Sequence, residues 1–181
     1  MESVAFDRLS LVTFAPASIR EDLRKVRDRC PSVGRPTTDA HVTIKRQFFR
    51  DGPHDTMTSD IEASLKGLPP MTIRTIEPEV IADGDLATII LPLEESKALD
   101  VLYLRVQMAL DRYPDINPSS RFRPHITIVA GVPADGVEQA LHAITGWRIN
   151  YFWTIRDVDL IGRDTTMSWR QIQHFSFGRK E

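Results

Sequence analysis

The chain of 181 residues carries a single cysteine, Cys30, so no internal disulfide can staple it. The same scarcity excludes a zinc site built on cysteines, and no Cys/His set of that kind occurs. Long apolar runs are missing as well. None approaches the ~20 residues that a membrane-spanning helix needs. Acids and bases are mixed through Met1 to Leu11, so no charged segment leads into an apolar one and no secretory signal is read there. A charge excess is also lacking. Twenty-three basic and 25 acidic side chains leave a net charge of −2. That balance disfavours coating duplex DNA through a general positive field, but it permits a local basic pocket. No Gly/Ser-rich stretch separates independent domains. What is present, 41% hydrophobic and 27% charged residues, suffices for one core. These bounds predict a cytoplasmic globular protein, leave its oligomeric state open between monomer and weak dimer, and say nothing of its chemistry.

Alternation and β-branched residues predict strands; apolar spacings of three to four predict helices. Arg8 to Phe14 reads as a strand and Ala17 to Cys30 as a helix with Ile19, Leu23 and Val26 on one stripe. After a loop from Pro31 to Asp39, His41 to Phe49 reads as a strand. A break at Asp51 to Pro53 precedes a helix over Thr58 to Leu68. Met71 to Ile81 and Leu86 to Leu93 read as a hairpin turning on Asp83-Gly84-Asp85. Ser96 to Tyr113 is the longest helical pattern, and a proline-rich loop follows from Pro114 to Pro124. His125 to Gly131 reads as a strand and Val137 to Ile144 as a helix. Arg148 to Leu160 and Met167 to Phe177 read as a second hairpin around Gly162. The order strand, helix, strand, helix, strand thus occurs over 8–81 and recurs over 86–160, with Met167 to Phe177 added to give approximate repeat halves 8–81 and 86–177. The fold class expected is α+β: one bilobal domain over 1–181, a duplicated unit with two antiparallel sheets and flanking helices facing a central cleft.

The halves agree in sequence at one place. His41-Val42-Thr43-Ile44 and His125-Ile126-Thr127-Ile128 fall on the same element of the repeat. Successive strand side chains point to opposite faces. His41 and Thr43 therefore share one face, as do His125 and Thr127, while the apolar residues between them face a helix. Two such faces meeting at a cleft suit phosphodiester chemistry. A neutral imidazole takes a proton from the attacking oxygen, and an imidazolium returns one to the departing oxygen. The threonine hydroxyls can hydrogen-bond nonbridging oxygens, where charge gathers. Each motif offers one imidazole and no carboxylate on its face, which is poor zinc coordination, so no metal or cofactor is expected. By strand parity Lys45 joins the first face. Arg123, and Arg121 beyond it, join the second if extension continues back through Pro124. These cations are the candidate phosphate binders.

Paired His-x-Thr-hydrophobic motifs, one per half of a chain this size, resemble the two-histidine phosphoesterase superfamily, which includes 2′-5′ RNA ligase-like proteins and cyclic nucleotide phosphodiesterases. The run Phe122-Arg123-Pro124-His125-Ile126-Thr127-Ile128 carries the resemblance best. The resemblance implies a bilobal α+β duplicate with His41, Thr43, His125 and Thr127 as catalytic residues. It implies an enzyme opening 2′,3′-cyclic phosphates, or related cyclic or 2′-5′ phosphodiesters of nucleotides or RNA ends, without metal. The first motif departs from the expected apolar strand in continuing as Lys45-Arg46-Gln47.

Plainer readings stand beside these. A strand histidine alone is more often structural than catalytic, and threonine is a favoured strand residue. Lys45 also reads as a solvated edge charge and Arg121 as a loop charge. His54 and His142 read as surface residues, His174 as a hydrogen-bonded structural one. Tyr151, Trp153 and Trp169 read as core or rim aromatics, although each can stack on a base. Cys30 reads as a buried small hydrophobe. The alternative to an enzyme is a module that holds an RNA end or phosphorylated ligand in the same cleft without turnover.

Overall fold

Leu9, Leu11 and Val12 are fully buried in the first strand, β1 (Arg8–Phe14), which lies inside a sheet rather than at its edge. Helix α1 (Ala17–Arg27) buries Ile19, Leu23 and Val26, the predicted stripe. Then come β2 (His41–Phe48), α2 (His54–Leu65), β3 (Met71–Arg74) and β4 (Glu79–Asp83). The second half runs β5 (Leu86–Pro92), α3 (Lys97–Ala109), β6 (His125–Pro133), α4 (Val137–Ile144), β7 (Phe152–Ile155), β8 (Asp157–Arg163) and β9 (Trp169–Ser176). The computed structural model describes residues 6, 8–30, 38–49, 54–116, 122–147 and 149–178. Most of the predicted loop at 31–39, the break at 51–53, Arg121 and Arg148 lie outside the described residues.

Among the described residues all strand pairings are antiparallel. They form a four-stranded sheet β2-β1-β8-β9, a three-stranded sheet β4-β5-β6, and a two-stranded sheet β3-β7. The expected two sheets are thus three among the described residues. Two predicted strands each divide. Met71 to Ile81 breaks at Ile76-Glu77-Pro78, where proline offers no N–H to a ladder. Arg148 to Leu160 breaks at Arg156. In both cases the first piece enters the β3–β7 sheet and the second piece enters a large one.

This division interleaves the halves. β4, from the first half, pairs with β5; β8, from the second, pairs with β1. The β3–β7 sheet takes one strand from each. At the β4–β5 turn Gly84 has φ +61°, a conformation that glycine adopts without steric cost. Ser96 starts α3 by accepting a hydrogen bond from the Leu99 N–H. One cluster of buried residues runs from Leu9 to Phe177 through both large sheets and all four helices. β2 and β6 are edge strands of their sheets and lie alongside each other. Helix α3 packs on β2, and α1 on β6.

Candidate functional site

Each motif histidine is the first residue of an edge strand. His41 is paired with Phe14, the last residue of β1, and His125 with Pro92, the last residue of β5. Each ring is held in the same way. His41 Nδ1 lies 2.7 Å from the Asp39 carbonyl oxygen, and His125 Nδ1 lies 2.8 Å from that of Arg123. A carbonyl only accepts, so Nδ1 carries the proton in both rings. Nε2 is then the nitrogen left to exchange a proton.

A cleft of about 470 Å³ is lined by His41, Thr43, His125 and Thr127 together, along with Arg46 and Trp169. Val42, Ile44, Ile126 and Ile128 are buried on the other side of their strands. Burial pushes both imidazoles below their ordinary 6.5. For His41 the nearby charges of Arg27 and His125 push the same way, against the Asp39 carbonyl and carboxylate. For His125 the charges of Arg46 and Arg123 add to burial, against the Arg123 carbonyl.

Strand parity fails after the threonine, and this corrects the placing of Lys45. In β2 the register shifts between Leu11 and Val12, opposite Lys45 and Thr43, so Ile44 is an extra residue. Lys45 is thereby turned into the interior. It is 2% exposed, with Nζ 2.8 Å from Asp115 Oδ1 and 3.3 Å from Gln107 Oε1. It is neither a cleft cation nor a solvated edge charge. Arg46 takes the cleft position instead. The same bulge recurs in β6, where the register shifts between Ile89 and Ile90 and Ile128 is the extra residue. Ala130 there stands where Arg46 stands in β2, and both line the cleft. Sequence parity missed Arg46 because a bulge has no composition of its own. The basic departure Lys45-Arg46 was the only available signal.

Arg123 is exposed and its guanidinium is ion-paired with Glu79, while its backbone carbonyl serves His125. It lines a smaller cavity beside His125, next to the stacked rings of Tyr103 and Phe122. His174 is hydrogen-bonded to buried Asp159 at 2.9 Å, and His142 is exposed. Asp157, Asp159 and His174 stand close enough to hold a cation, but Asp159 is already engaged by His174 and Gln171. Tyr151 and Trp153 are buried, and Trp169 sits half-buried at the cleft. Cys30 is buried, and burial pushes its thiol up.

The family model described as the 2′-5′ RNA ligase superfamily matches residues 15–166. The chain belongs to that superfamily. The resemblance to the two-histidine phosphoesterases is thereby borne out, and membership of the family supports a phosphoesterase-type function. No curated protein matches the sequence. Among solved structures the chain is similar to E. coli LigT complexed with 3′-AMP, at 15% identity and a TM-score of 0.72, covering 97% of this chain and 100% of that one. It is also similar to TT0787 of Thermus thermophilus, at 14% identity and a TM-score of 0.70, covering 96% and 100%. A structure described as a phosphoesterase matches at 18% identity and a TM-score of 0.66, covering 97% and 100%. These likenesses establish the α+β fold with antiparallel sheets. Among the described residues no helix is long and apolar enough to cross a membrane.

Proposed function

We propose that this member of the 2′-5′ RNA ligase superfamily is a metal-independent phosphoesterase that opens 2′,3′-cyclic phosphates, or related cyclic or 2′-5′ phosphodiesters, of nucleotides or RNA ends. One observation carries the reading. Two His-x-Thr pairs line one cleft, and each ring is tethered at Nδ1 by the carbonyl two residues before it.

The step needs one imidazole neutral and the other protonated. Nε2 of the neutral ring takes a proton from water as the water oxygen bonds to phosphorus. Nε2–H of the imidazolium gives a proton to the ribose oxygen as its bond to phosphorus breaks. The product is a phosphomonoester, and the two rings have exchanged protonation states. Thr43 and Thr127 donate to the nonbridging oxygens, and Arg46 offsets their charge. Thr43, Thr127 and Arg46 all line the cleft, where donors aimed at developing charge stabilise the transition state.

The test is turnover of a panel of 2′,3′-cyclic nucleotides in excess EDTA. Product formation at the rate seen without chelator is the expected result. Loss of activity to EDTA overturns the metal-independent mechanism. Absence of turnover, with salt-dependent binding to RNA termini, would instead favour a binding module using the same cleft.

A further inference from the structure

Residues 127 and 128 show a contact that a regular strand cannot make. Neighbouring carbonyls along a strand point in opposite directions. Yet Arg27 donates from Nε to the Ile128 carbonyl and from an Nη to the Thr127 carbonyl, both at 2.8 Å. The bulge explains this. With Ile128 as the extra residue, both carbonyls turn to one side of the open edge of β6, where one planar guanidinium fork meets them. Arg27 is in the last turn of α1, a first-half helix whose Ile19, Leu23 and Val26 are fixed in the core. The mirror contact exists and is weaker. From α3, in the second half, the Gln107 side-chain amide donates to the carbonyl of Ile44, the extra residue of β2, at 3.4 Å. Each motif strand is thus held at its bulge by a helix from the other half.

We infer that Arg27 is a positioning residue: its fork on the bulged carbonyls of Thr127 and Ile128 sets the second His-x-Thr pair against the first. Arg27 does not act on phosphate in this assignment; it acts through the β6 backbone. The inference rests on the phosphoesterase reading only for its kinetic readout. Its structural basis is the cross-half brace itself.

Lysine keeps the charge of Arg27 but cannot supply two donors in one plane. The test therefore compares Arg27→Lys and Arg27→Met with the wild type in kcat, KM, thermal midpoint and crystal structure. Misplacement of reacting groups by about 1 Å costs on the order of 100-fold in rate. The expected result is a kcat roughly 10- to 100-fold lower in both variants. KM should change less than about threefold, and the imidazole of His125 should be displaced relative to that of His41. A wild-type kcat in Arg27→Lys means that charge alone matters and overturns the inference. So does a lowered thermal midpoint with kcat unchanged in both. If Arg27→Met does not fold, Arg27→Lys alone decides. If the wild type turns over no cyclic phosphate while the Lys variant still displaces His125, the phosphoesterase reading fails and the positioning role stands.

Discussion

The β2 and β6 motifs have nearly the same backbone and quite different side chains. In both, the histidine opens an edge strand opposite the last residue of a neighbour, the residue two before it lends a carbonyl to Nδ1, and a bulge follows the threonine. The side chains then diverge. Asp39 precedes His41 and is ion-paired with Arg20 and Arg24; Arg123 precedes His125 and is paired with Glu79. Buried Lys45 answers to apolar Val129, and Arg46 to Ala130. The same backbone geometry places an imidazole at the cleft from each strand, while the charges around the two rings differ. That combination suits a reaction whose two proton transfers are equivalent in shape and opposite in sense.

The most direct way to break the comparison is to remove one ring at a time. General acid–base catalysis by a side chain contributes about 10²–10⁴-fold. His41→Ala and His125→Ala should each lose activity of that order on cyclic nucleotides. Groups that act as a unit are not additive, so the double variant should fall little further than the worse single one. A single variant retaining about a third of wild-type kcat would mean that the motifs are not partners.

The second contrast is Lys45 against Val129. Removing one member of a buried ion pair typically costs about 3–5 kcal/mol, because the other is left charged and unpaired. Asp115→Ala should therefore destabilise the fold by about that much in urea titration. Exchanging both residues for apolar ones, Lys45→Met with Asp115→Leu, should recover most of the loss, since Val129 shows that the equivalent position is built for an apolar side chain. Full loss in the double variant would mean that the pair contributes more than mutual neutralisation.

Arg46 against Ala130 isolates the cleft charge. Arg46→Ala should lower kcat/KM by about 10-fold, the scale of a single charge-assisted contact. Ala130→Arg places a second cation at the mirror position, and it should raise affinity for inorganic phosphate. Equal kcat/KM in Arg46→Ala and the wild type would remove Arg46 from the site.

Much of this is legible in the amino-acid sequence. Strand β1 and helix α4 run as read, because alternation over Arg8–Phe14 and helical spacing over Val137–Ile144 leave no competing period. The two His-x-Thr pairs stood out because they repeat at one place in a repeated order. Three things escaped. The strands read over Met71 to Ile81 and Arg148 to Leu160 each serve two sheets, and hydropathy cannot show that a run changes partners. The bulges reversed the parity of Lys45 and Arg46, a matter of backbone register. The strand exchange between halves depends on long-range pairing, which local pattern does not encode.

Acid should weaken the fold through the same two rings. Both imidazoles have pKa values held below their ordinary 6.5 by burial. Between the lowered values and about 6.5 the unfolded chain binds more protons than the folded one, so stability rises with pH across that window. It is fully present above about 6.5 and is lost as pH falls below it. Urea midpoints at about pH 5 and pH 7.5 measure the slope. In a His41→Asn/His125→Asn variant the slope should be shallower; an unchanged slope would assign the acid sensitivity to other groups.

The smallest effect expected concerns the residues whose carbonyls tether the rings. Arg123→Ala removes an exposed guanidinium and its pairing with Glu79 but keeps the backbone carbonyl that accepts from His125 Nδ1. Exposed ion pairs contribute about 0.2–1 kcal/mol. Stability should fall within that range and kcat within about threefold. A larger kcat loss, with KM raised as well, would make the guanidinium a substrate contact, as strand parity first suggested. Asp39→Ala is the matched control. It also spares a carbonyl, but it releases a carboxylate shared by Arg20 and Arg24 of α1, the helix that carries Arg27. If the Asp39 variant loses more activity than the Arg123 variant, the difference between the halves lies in how firmly α1 is tied to each motif.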